Sequence, residues 1–322
     1  MSGDVDHVLL TRFNLPSTGV EGVIRAREGW LRNRVELFER YCAPSVADQT
    51  RPVTWIIYFD PEGPRWLMER LAPLVERGLF RPIPRASVSR EELLSDIRAS
   101  VPSRRRHLLT TNLDNDDGLA VDFSERVTSA PTHHDRVAIY LANGLVKSPR
   151  GLFLRRDPSN AFCSVRESWH DPVTAWSEYH NELPRVMPAI RLAGPPAWLQ
   201  VVHGENVSNR VRGRLTSPQA HGDRFAHLLD DVDEPTRLDG WKDELLYRPG
   251  RVVRDTARST TRSTALGLLG KERYSDAKLA LTRFQRVLRR PTGLGRARGV
   301  LEETPCQTSR RTSVQFRASS SH

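Results

Sequence analysis

The sequence HLLTTNLDNDDG at residues 107–118 decides how the chain is interpreted, because an apolar run ends in three aspartates within four positions. Residues 107–113 are mostly apolar and β-favouring, which predicts a strand buried on both faces of a sheet. Asp114, Asp116 and Asp117 follow directly, and Gly118 closes the turn. The segment therefore predicts a buried strand that leads into an acidic turn.

Short apolar runs alternate with helical stretches on either side of this segment. The other predicted strands cover residues 8–14 (VLLTRFN), 54–59 (TWIIYF) and 79–83. The predicted helices cover residues 30–41, 65–76, 91–99 and 119–127. Alternation of this kind predicts an α/β domain with a mostly parallel sheet flanked by helices.

Parallel sheets bind ligands beyond the carboxyl ends of their strands. Three polar turns follow predicted strands: Thr11, Arg12 and Asn14 after the first, Asp60 after the second, and residues 114–117 after the strand at 107–113. We expect these turns to converge on one edge of the sheet, although Arg12 could instead pair with Asp60.

Three carboxylates this close together repel one another, and an unpaired buried charge is costly. A divalent cation removes both problems, and oxygen ligands favour Mg²⁺, Mn²⁺ or Ca²⁺ over zinc. The alternative is a solvated loop in which Asp117 caps the next helix. An EF-hand loop is excluded, because Leu119 stands where that loop requires glycine. The chain also lacks a complete phosphate loop, a strand-linked Gly-x-Gly-x-x-Gly motif and a Gly-x-Ser-x-Gly nucleophile elbow.

The charge of the chain is unevenly distributed. Lys and Arg number 49 against 39 Asp and Glu, a formal net charge of +10; residues 1–250 carry −1 and residues 251–322 carry +11. We expect a domain at 1–250, then a basic extension with a linker at 254–264, a helix at about 271–290 and a disordered tail. That amphipathic helix could lie on an anionic bilayer or pack on the body.

Composition excludes several classes of protein. The apolar runs supply a core, so disorder throughout is excluded, and no uncharged apolar run approaches the roughly 20 residues of a membrane-spanning helix. Cys42, Cys163 and Cys306 are too few and too far apart for a disulfide framework or a Cys-x-x-Cys zinc site. No secretory leader is visible, so we expect a cytoplasmic protein that associates peripherally with the inner face of the cell membrane.

Four segments together resemble a known family: LTRFN at 10–14, WIIYFD at 55–60, LDNDDG at 113–118 and WLQVVHGEN at 198–206. Their order is similar to that of the putative rhamnosyltransferase family, bacterial glycosyltransferases of GT-A type associated with cell-surface polysaccharides. The resemblance covers about residues 5–215. One departure is Asn112, where the family pattern leads us to expect an arginine.

The resemblance implies a GT-A-like Rossmann-type mixed sheet and a metal-dependent transfer of a sugar, rhamnose, from a nucleoside-diphosphate sugar. Asp114, Asp116 and His203 are then the expected ligands of Mn²⁺ or Mg²⁺, with Glu205 or Asn206 orienting the histidine; otherwise His203 is a strand-end histidine bonded to backbone. The metal would neutralise the diphosphate leaving group. Asp117 is expected to be a third ligand or a contact to the donor sugar.

Thr11, Arg12, Asn14 and Asp60 are expected to contact the nucleotide sugar. The acceptor is expected to be a saccharide or a lipid-linked molecule.

An inverting transfer needs a carboxylate that takes the proton of the acceptor hydroxyl. Such a residue should follow the metal motif in the sequence, on the acceptor side. Glu167 is the first candidate for this base and Asp171 is the second.

Two other functions compete with sugar transfer. A metal-dependent phosphohydrolase or nuclease would use the same aspartates and needs a second metal cluster, for which residues 133–135 (HHD) are the candidate. A nucleic-acid-binding protein would act through residues 251–322. That segment has few aromatic residues, and the body is electrically balanced, so no nucleic-acid partner is expected.

Overall fold

The structure, a computed structural model, describes residues 4–16, 29–101, 104–203, 211–247 and 249–250. All of them belong to the compact unit Met1–Ala280, and a second unit, Leu281–His322, lies outside the described residues. The linker predicted at 254–264 and the basic helix predicted at 271–290 also lie outside the described residues.

The described residues form twelve strands arranged in two sheets. These strands are β1 (Val5–Arg12), β2 (Thr54–Phe59), β3 (Arg81–Pro84), β4 (His107–Asn112), β5 (Gly118–Leu119), β6 (Arg136–Leu141), β7 (Asn143–Ser148), β8 (Gly151–Arg156), β9 (Ser164–Ser168), β10 (Ala189–Leu192), β11 (Trp198–Val201) and β12 (Arg214–Thr216).

The larger sheet has seven strands in the order β10-β6-β9-β4-β1-β2-β3. β1 lies parallel to β2 and β4, β3 is parallel to β2, and β10 is parallel to β6. β9 lies between β4 and β6 and is antiparallel to both, so six of the seven strands run in one direction. The predicted α/β class with a mixed, mostly parallel sheet is confirmed.

The smaller sheet has five strands in the order β12-β8-β7-β11-β5. β7 and β8 form an antiparallel hairpin, and β11 lies parallel to β7. β5 follows the acidic turn and pairs with β11, with Leu119 opposite Trp198. The acidic turn therefore connects the end of β4 in the larger sheet to an edge strand of the smaller one.

Six of the eight described α-helices lie between strands in the chain, and the last two follow β12. The eight helices are α1 (Trp30–Leu37), α2 (Ala43–Ala47), α3 (Arg65–Glu76), α4 (Arg90–Ser100), α5 (Phe123–Thr128), α6 (Leu183–Val186), α7 (Gly222–Phe225) and α8 (Arg237–Lys242). A π-helical turn, Phe38–Cys42, joins α1 to α2. In the parts of the chain that the structure covers, no helix has the length and apolar character needed to span a bilayer.

The predicted start of the helix at residues 119–127 is wrong. Gly118 and Leu119 form β5, and α5 begins only at Phe123. The backbone of residues 118–119 pairs with β11, and this pairing outweighs the local helical spacing.

The packing of Trp198 on β11 requires a glycine on the neighbouring strand β7. Its indole ring is stacked on Phe162 at 5.1 Å between centroids, and its Nε1–H donates to the carbonyl of Leu141. Gly144 on β7 leaves the room for this ring, because a Cβ at that position would lie 2.0 Å from it. The pairing of β11 with β7 is thus compatible with this ring position only because residue 144 is glycine.

Candidate active site at the carboxyl ends of the strands

The acidic turn is fastened to the end of β1. The backbone N–H of Leu113 donates to the carbonyl of Leu10 at 3.1 Å. Asn115, which is buried, donates from Nδ2 to the carbonyl of Phe13 at 2.8 Å. The predicted meeting of the polar turns after β1 and β4 therefore occurs, and it creates a rim at the carboxyl edge of the larger sheet.

Asp116 is 5% exposed and is held by two side chains from distant parts of the chain. Arg34 of α1 forms an ion pair with Oδ2 of Asp116. Nε2 of His203 lies 3.0 Å from the same oxygen and donates to it when the proton is on Nε2. Burial opposes ionisation of Asp116, but the hydrogen bond from His203 and the charge of Arg34 outweigh it and hold the pKa below its ordinary value.

The role of Arg34 was not recognised in the sequence. Its side chain is buried, and its guanidinium also donates to Oδ1 of Asn115 at 3.3 Å and lies 5.0 Å from the ring of Trp30. A signal was available, because Arg34 stands four residues after Trp30 and four before Phe38, on the apolar face of the helix. An arginine on that face needs an anionic partner.

Asp114 is the exposed aspartate of the acidic turn. The loss of hydration, and next the negative charge of Asp116, raise the pKa of Asp114 above its ordinary value. Arg34 and His180 are close enough to oppose this shift. Asp114 is therefore the carboxylate of the turn that a ligand approaching from solvent can reach.

Asp117 is 1% exposed and connects the acidic turn to β11. Its Oδ1 accepts the backbone N–H of Val201 at 2.9 Å, whereas its Oδ2 is buried with no hydrogen-bond partner. Burial, then the charges of Asp116 and Asp114, raise its pKa well above the ordinary value. Capping of the next helix, the alternative role of Asp117, is not observed, since α5 begins after Asp122.

The predicted metal ligands are only partly assembled. Asp116 and His203 touch, and Asp114 belongs to the same turn, but within the described ranges no group of three or more His, Cys, Asp or Glu side chains is arranged to hold a metal ion. Two carboxylates and one imidazole suit a divalent ion such as Mn²⁺ in their chemistry. Arg34 contacts the oxygen of Asp116 that would bind it. A divalent ion therefore fits this donor set once Arg34 leaves Asp116.

The turns after β1 and β2 meet as expected. Oδ1 of Asn14 accepts the backbone N–H of Asp60 at 3.0 Å, and Oδ1 of Asp60 accepts the backbone N–H of Glu62. Arg12 is exposed, and its guanidinium lies 3.9 Å from the ring centroid of Trp176. These side chains form the part of the rim next to the acidic turn.

Thr11 does not line this rim. It is fully buried, its hydroxyl donates to the carbonyl of Leu113 at 2.8 Å, and it accepts from the indole N–H of Trp55 at 2.9 Å. A buried hydroxyl with both bonds made inside the protein cannot contact a nucleotide. Thr11 instead connects β1 to the start of the acidic turn.

Asn112 is also used internally. Its Nδ2 donates to the carbonyl of Ala161, and its Oδ1 accepts from Nε1 of Trp176. It also hydrogen-bonds Asp114. The position where the family pattern suggests an arginine thus carries a residue that holds Trp176 against the rim.

The structure places Glu167 far from the acidic turn. In β9 it stands opposite Leu108, four residues before the end of β4, which is about 13 Å at the usual rise of a strand. Its carboxylate is 1% exposed, pairs with Arg136, and accepts the backbone N–H groups of Val173 and Thr174. Glu167 is therefore a structural residue, and its assignment as the base is wrong.

Asp171, the second candidate base, is equally remote from the rim. It follows β9 at the edge of the sheet opposite the acidic turn, its side chain is largely exposed, and it pairs with Arg90 of α4. The candidate second metal cluster at residues 133–135 is exposed and precedes β6, whose start also lies at that opposite edge. Neither feature belongs to the candidate site.

A cavity of about 440 Å³ lies beside His203. In its wall, Nζ of Lys147 donates to the hydroxyl of Tyr41 and to Oδ2 of Asp231, both at 2.7 Å. Partial burial opposes ionisation of Asp231, but the hydrogen bond and charge of Lys147, with the charge of Arg40, hold its pKa below the ordinary value. Sequence analysis did not identify this cavity, because its residues come from five separate segments of the chain.

A family model described as "Putative rhamnosyl transferase" matches residues 6–215. No curated protein matches the chain. Among solved structures, S. aureus TarS 1-349 matches with 8% identity over 61% of this chain and 60% of TarS 1-349, at a TM-score of 0.37. Against a second TarS structure the chain covers 37% of that protein. The chain thus spans less than two thirds of the TarS structures named so far.

Two further solved structures carry ligands. TarS 1-349 in complex with UDP has 10% identity over 83% of this chain and 76% of its own, at a TM-score of 0.41. GalNAc-T7 with UDP, GalNAc and Mn²⁺ has 11% identity over 87% of this chain and 55% of its own, at a TM-score of 0.39. At these scores the similarity implies nothing about the ligands of the present chain.

Proposed function

The chain belongs to the putative rhamnosyl transferase family, and we propose that it transfers rhamnose from a nucleoside-diphosphate sugar to a saccharide or lipid-linked acceptor. Family membership supports the transfer of a sugar. The identity of the sugar, the need for a divalent metal and inversion at the anomeric carbon are the parts we propose.

One observation carries this proposal: the acidic turn after β4 meets His203 after β11 at the carboxyl edge of the larger sheet. Asp116 and His203 come from segments 87 residues apart, yet their side chains are within hydrogen-bond distance. This edge is where open α/β sheets bind their ligands. A diphosphate with a bound divalent ion suits a rim that offers carboxylates, an imidazole and an arginine.

Asp114, Asp116 and His203 are the residues that would hold the metal. When bound, a divalent ion neutralises the negative charge that develops on the diphosphate as the bond to the sugar breaks. Arg12, Asn14 and Asp60 would contact the donor beside them. Asp117 would keep the turn and β11 at a fixed separation through its bond to Val201.

We place the acceptor in the cavity beside His203, because it opens next to the proposed metal ligands and is rich in hydrogen-bonding groups. The carboxylates on its wall are the candidates for the base in an inverting transfer: Asp231, Asp233, Glu234 and Asp239. The pKa values of Asp231 and Asp239 are both lowered, which makes these two weak bases. If an Asp233→Asn variant still binds the donor and cannot transfer the sugar, this result would support a catalytic base on the wall of this cavity.

Calorimetric titration with dTDP, UDP and GDP, with and without Mn²⁺, tests the donor site. We expect one of these nucleotides to bind, and to need Mn²⁺ for tight binding. In the Asp114→Asn variant, Mn²⁺ should no longer tighten nucleotide binding. Asp135 is an exposed aspartate at the opposite edge, so Mn²⁺ should still tighten nucleotide binding in the Asp135→Asn variant. Binding of equal strength with and without Mn²⁺ would remove the metal from the proposal.

Turnover of dTDP-rhamnose compared with UDP-glucose tests the sugar. We expect release of dTDP from the rhamnose donor to be faster, with Mn²⁺ present, than release of UDP from the glucose donor. Hydrolysis of a phosphate monoester or of DNA, with both sugar donors left intact, would favour the phosphohydrolase or nuclease instead.

We also propose that residues 251–322, with a net charge of +11, bring the cytoplasmic enzyme to the inner face of the membrane. Co-flotation with vesicles that contain anionic lipid should be strong for the full chain and weak for a chain that ends at Gly250. Equal co-flotation of the two would exclude a membrane role for the basic extension.

A further inference from the structure

Arg34 is a buried cation in contact with a proposed metal ligand. Its side chain is 10% exposed, it pairs with Oδ2 of Asp116, and Asn115 and Trp30 hold its guanidinium from two other sides. Its neighbour on the same helix, Arg32, is exposed and lies over Trp66 instead. The fold therefore inserts one particular arginine of α1 among the aspartates of the turn.

This arrangement conflicts with a bound dication. A doubly charged ion on Asp116 would lie within a few ångströms of the guanidinium, and like charges at that distance repel strongly where water is largely excluded. The ion would also compete with Arg34 for one carboxylate oxygen that His203 already contacts. The Arg34 guanidinium therefore opposes metal binding to the nucleotide-free protein until it pairs with an anion other than Asp116.

A nucleoside diphosphate supplies that anion. Planar guanidinium groups bind phosphate oxygens through two parallel hydrogen bonds, and such charge-assisted bonds are among the strongest in proteins. The diphosphate would arrive at the same rim, beside Asp114. A small rotation of the Arg34 side chain would then exchange a carboxylate partner for a phosphate partner and leave Oδ2 of Asp116 to the metal.

We propose that Arg34 is a switchable counter-ion: it neutralises Asp116 in the empty site and binds the donor diphosphate in the loaded site, so that metal and nucleotide bind together. This inference rests on the proposed function. It assigns to Arg34 a direct contact with the donor and a positioning effect on the metal. No covalent bond is made or broken in the exchange.

The first test measures Mn²⁺ binding to the nucleotide-free full chain by the loss of the free Mn²⁺ signal in electron paramagnetic resonance. Arg34→Gln removes the competing charge, so it should tighten Mn²⁺ binding about tenfold relative to the wild type. Arg34→Lys keeps the charge and should stay near the wild type. Arg32→Gln removes a charge from the exposed face of the same helix and should change the affinity little.

The second test titrates the same proteins with dTDP, UDP and GDP at saturating Mn²⁺. Arg34→Gln should weaken binding of the preferred nucleotide about tenfold or more, because its diphosphate loses a charge-assisted partner. Binding of the corresponding nucleoside, which has no phosphate, should not change. The substitution is thus expected to strengthen the binding of Mn²⁺ and to weaken the binding of the nucleotide.

Opposite shifts distinguish this role from a purely structural one. If Arg34→Gln weakened Mn²⁺ and nucleotide together, or left Mn²⁺ affinity unchanged, the inference would be overturned; thermal melting would show whether lost folding is the cause, and Arg34→Lys would then decide. Failure of the wild type to bind any of the three nucleotides would contradict the proposed function. If the wild type binds a nucleotide and Arg34→Gln binds Mn²⁺ and that nucleotide with the same affinities, only the role of Arg34 is contradicted.

Discussion

Two buried carboxylates of the central region, Asp116 and Glu167, are each paired with an arginine, and they differ in the other hydrogen-bond donors described for them. Glu167 accepts from Arg136 and from two backbone N–H groups, those of Val173 and Thr174. The contacts of Asp116 described above come from side chains, those of Arg34 and His203. Backbone donors cannot leave without unfolding the loop, whereas side-chain donors can rotate away.

The neighbours of the two carboxylates differ in the same sense. Asp116 stands between Asp114 and Asp117, whose pKa values are raised by lost hydration and by mutual repulsion. Glu167 is flanked in its strand by Arg166 and Ser168. The comparison teaches that a carboxylate bonded by backbone N–H groups supports the fold, while one held by rotatable side chains between two acids of raised pKa is available for a ligand.

The largest effect is expected from Glu167→Ala. It leaves Arg136 and two backbone N–H groups without their shared acceptor, so we expect a loss of about 3–5 kcal/mol in the free energy of unfolding. Urea denaturation measures this loss. Nucleotide affinity of the folded fraction should stay at the wild-type value, and a specific loss of binding by a normally stable variant would restore Glu167 as a functional residue.

A smaller effect concerns acid stability and His7. Its Nε2 lies 2.8 Å from the hydroxyl of Thr111, and burial, with a lesser contribution from the charge of Arg51, lowers its pKa from 6.5 to about 3. The unfolded chain therefore binds a proton that the folded chain refuses, and stability falls as the pH drops below about 6.5. The loss attributable to His7 should reach roughly 3 kcal/mol by pH 4.

His7→Gln should flatten this part of the pH dependence, at the cost of some stability at pH 7. Urea denaturation at several pH values between 7 and 4 measures both. An identical slope in the variant and the wild type would show that His7 ionises normally in the folded chain.

The next effect concerns binding at the rim. Asp116→Asn should weaken nucleotide binding in the presence of Mn²⁺ about a hundredfold, equivalent to about 2.7 kcal/mol, because it removes a metal ligand and the partner of Arg34. Its cost in folding should be smaller than that of Glu167→Ala. The comparison above would fail if Asp116→Asn lost more stability than Glu167→Ala and Glu167→Ala lost more nucleotide affinity than Asp116→Asn.

The smallest effect is a gain in stability. Asp117→Asn removes a buried charge with an unpartnered oxygen, so the nucleotide-free variant should be more stable than the wild type by about 1–2 kcal/mol at pH 8. A raised pKa in the folded state means that the wild type gains stability as the pH falls, so the difference should shrink towards pH 4. Thermal melting across this range measures it, and a less stable variant at pH 8 would contradict the account.

The strands and the acidic turn were predictable because they are local. Residues 107–118 contain both the buried run and the aspartates, and the convergence of the turns after β1, β2 and β4 follows from the parallel pairing of those strands. The contact between Asp116 and His203 was anticipated only through the resemblance of four segments to a family, which supplied the pairing of distant positions.

The wrong base and the missed arginine have long-range causes. Glu167 follows the acidic turn in sequence, but β9 runs antiparallel to β4 and carries it away from the rim. Thr11 has the spacing of a strand-end residue, yet its side chain points into the core. Arg34 resembles the other arginines of its helix until Trp30 and Phe38 are seen to share its face.

The candidate site lies across the junction between two sheets, since Asp116 follows a strand of one and His203 follows a strand of the other. Its span is set by the pairing of β5 with β11 and by the bond from Val201 to Asp117. β11 in turn pairs with β7 with the ring of Trp198 lying over Gly144, where a Cβ would be 2.0 Å from that ring. A single methyl group at Gly144, in the middle strand of the smaller sheet, would force the ring to move and would strain the strand that carries His203, without altering any residue that touches a substrate.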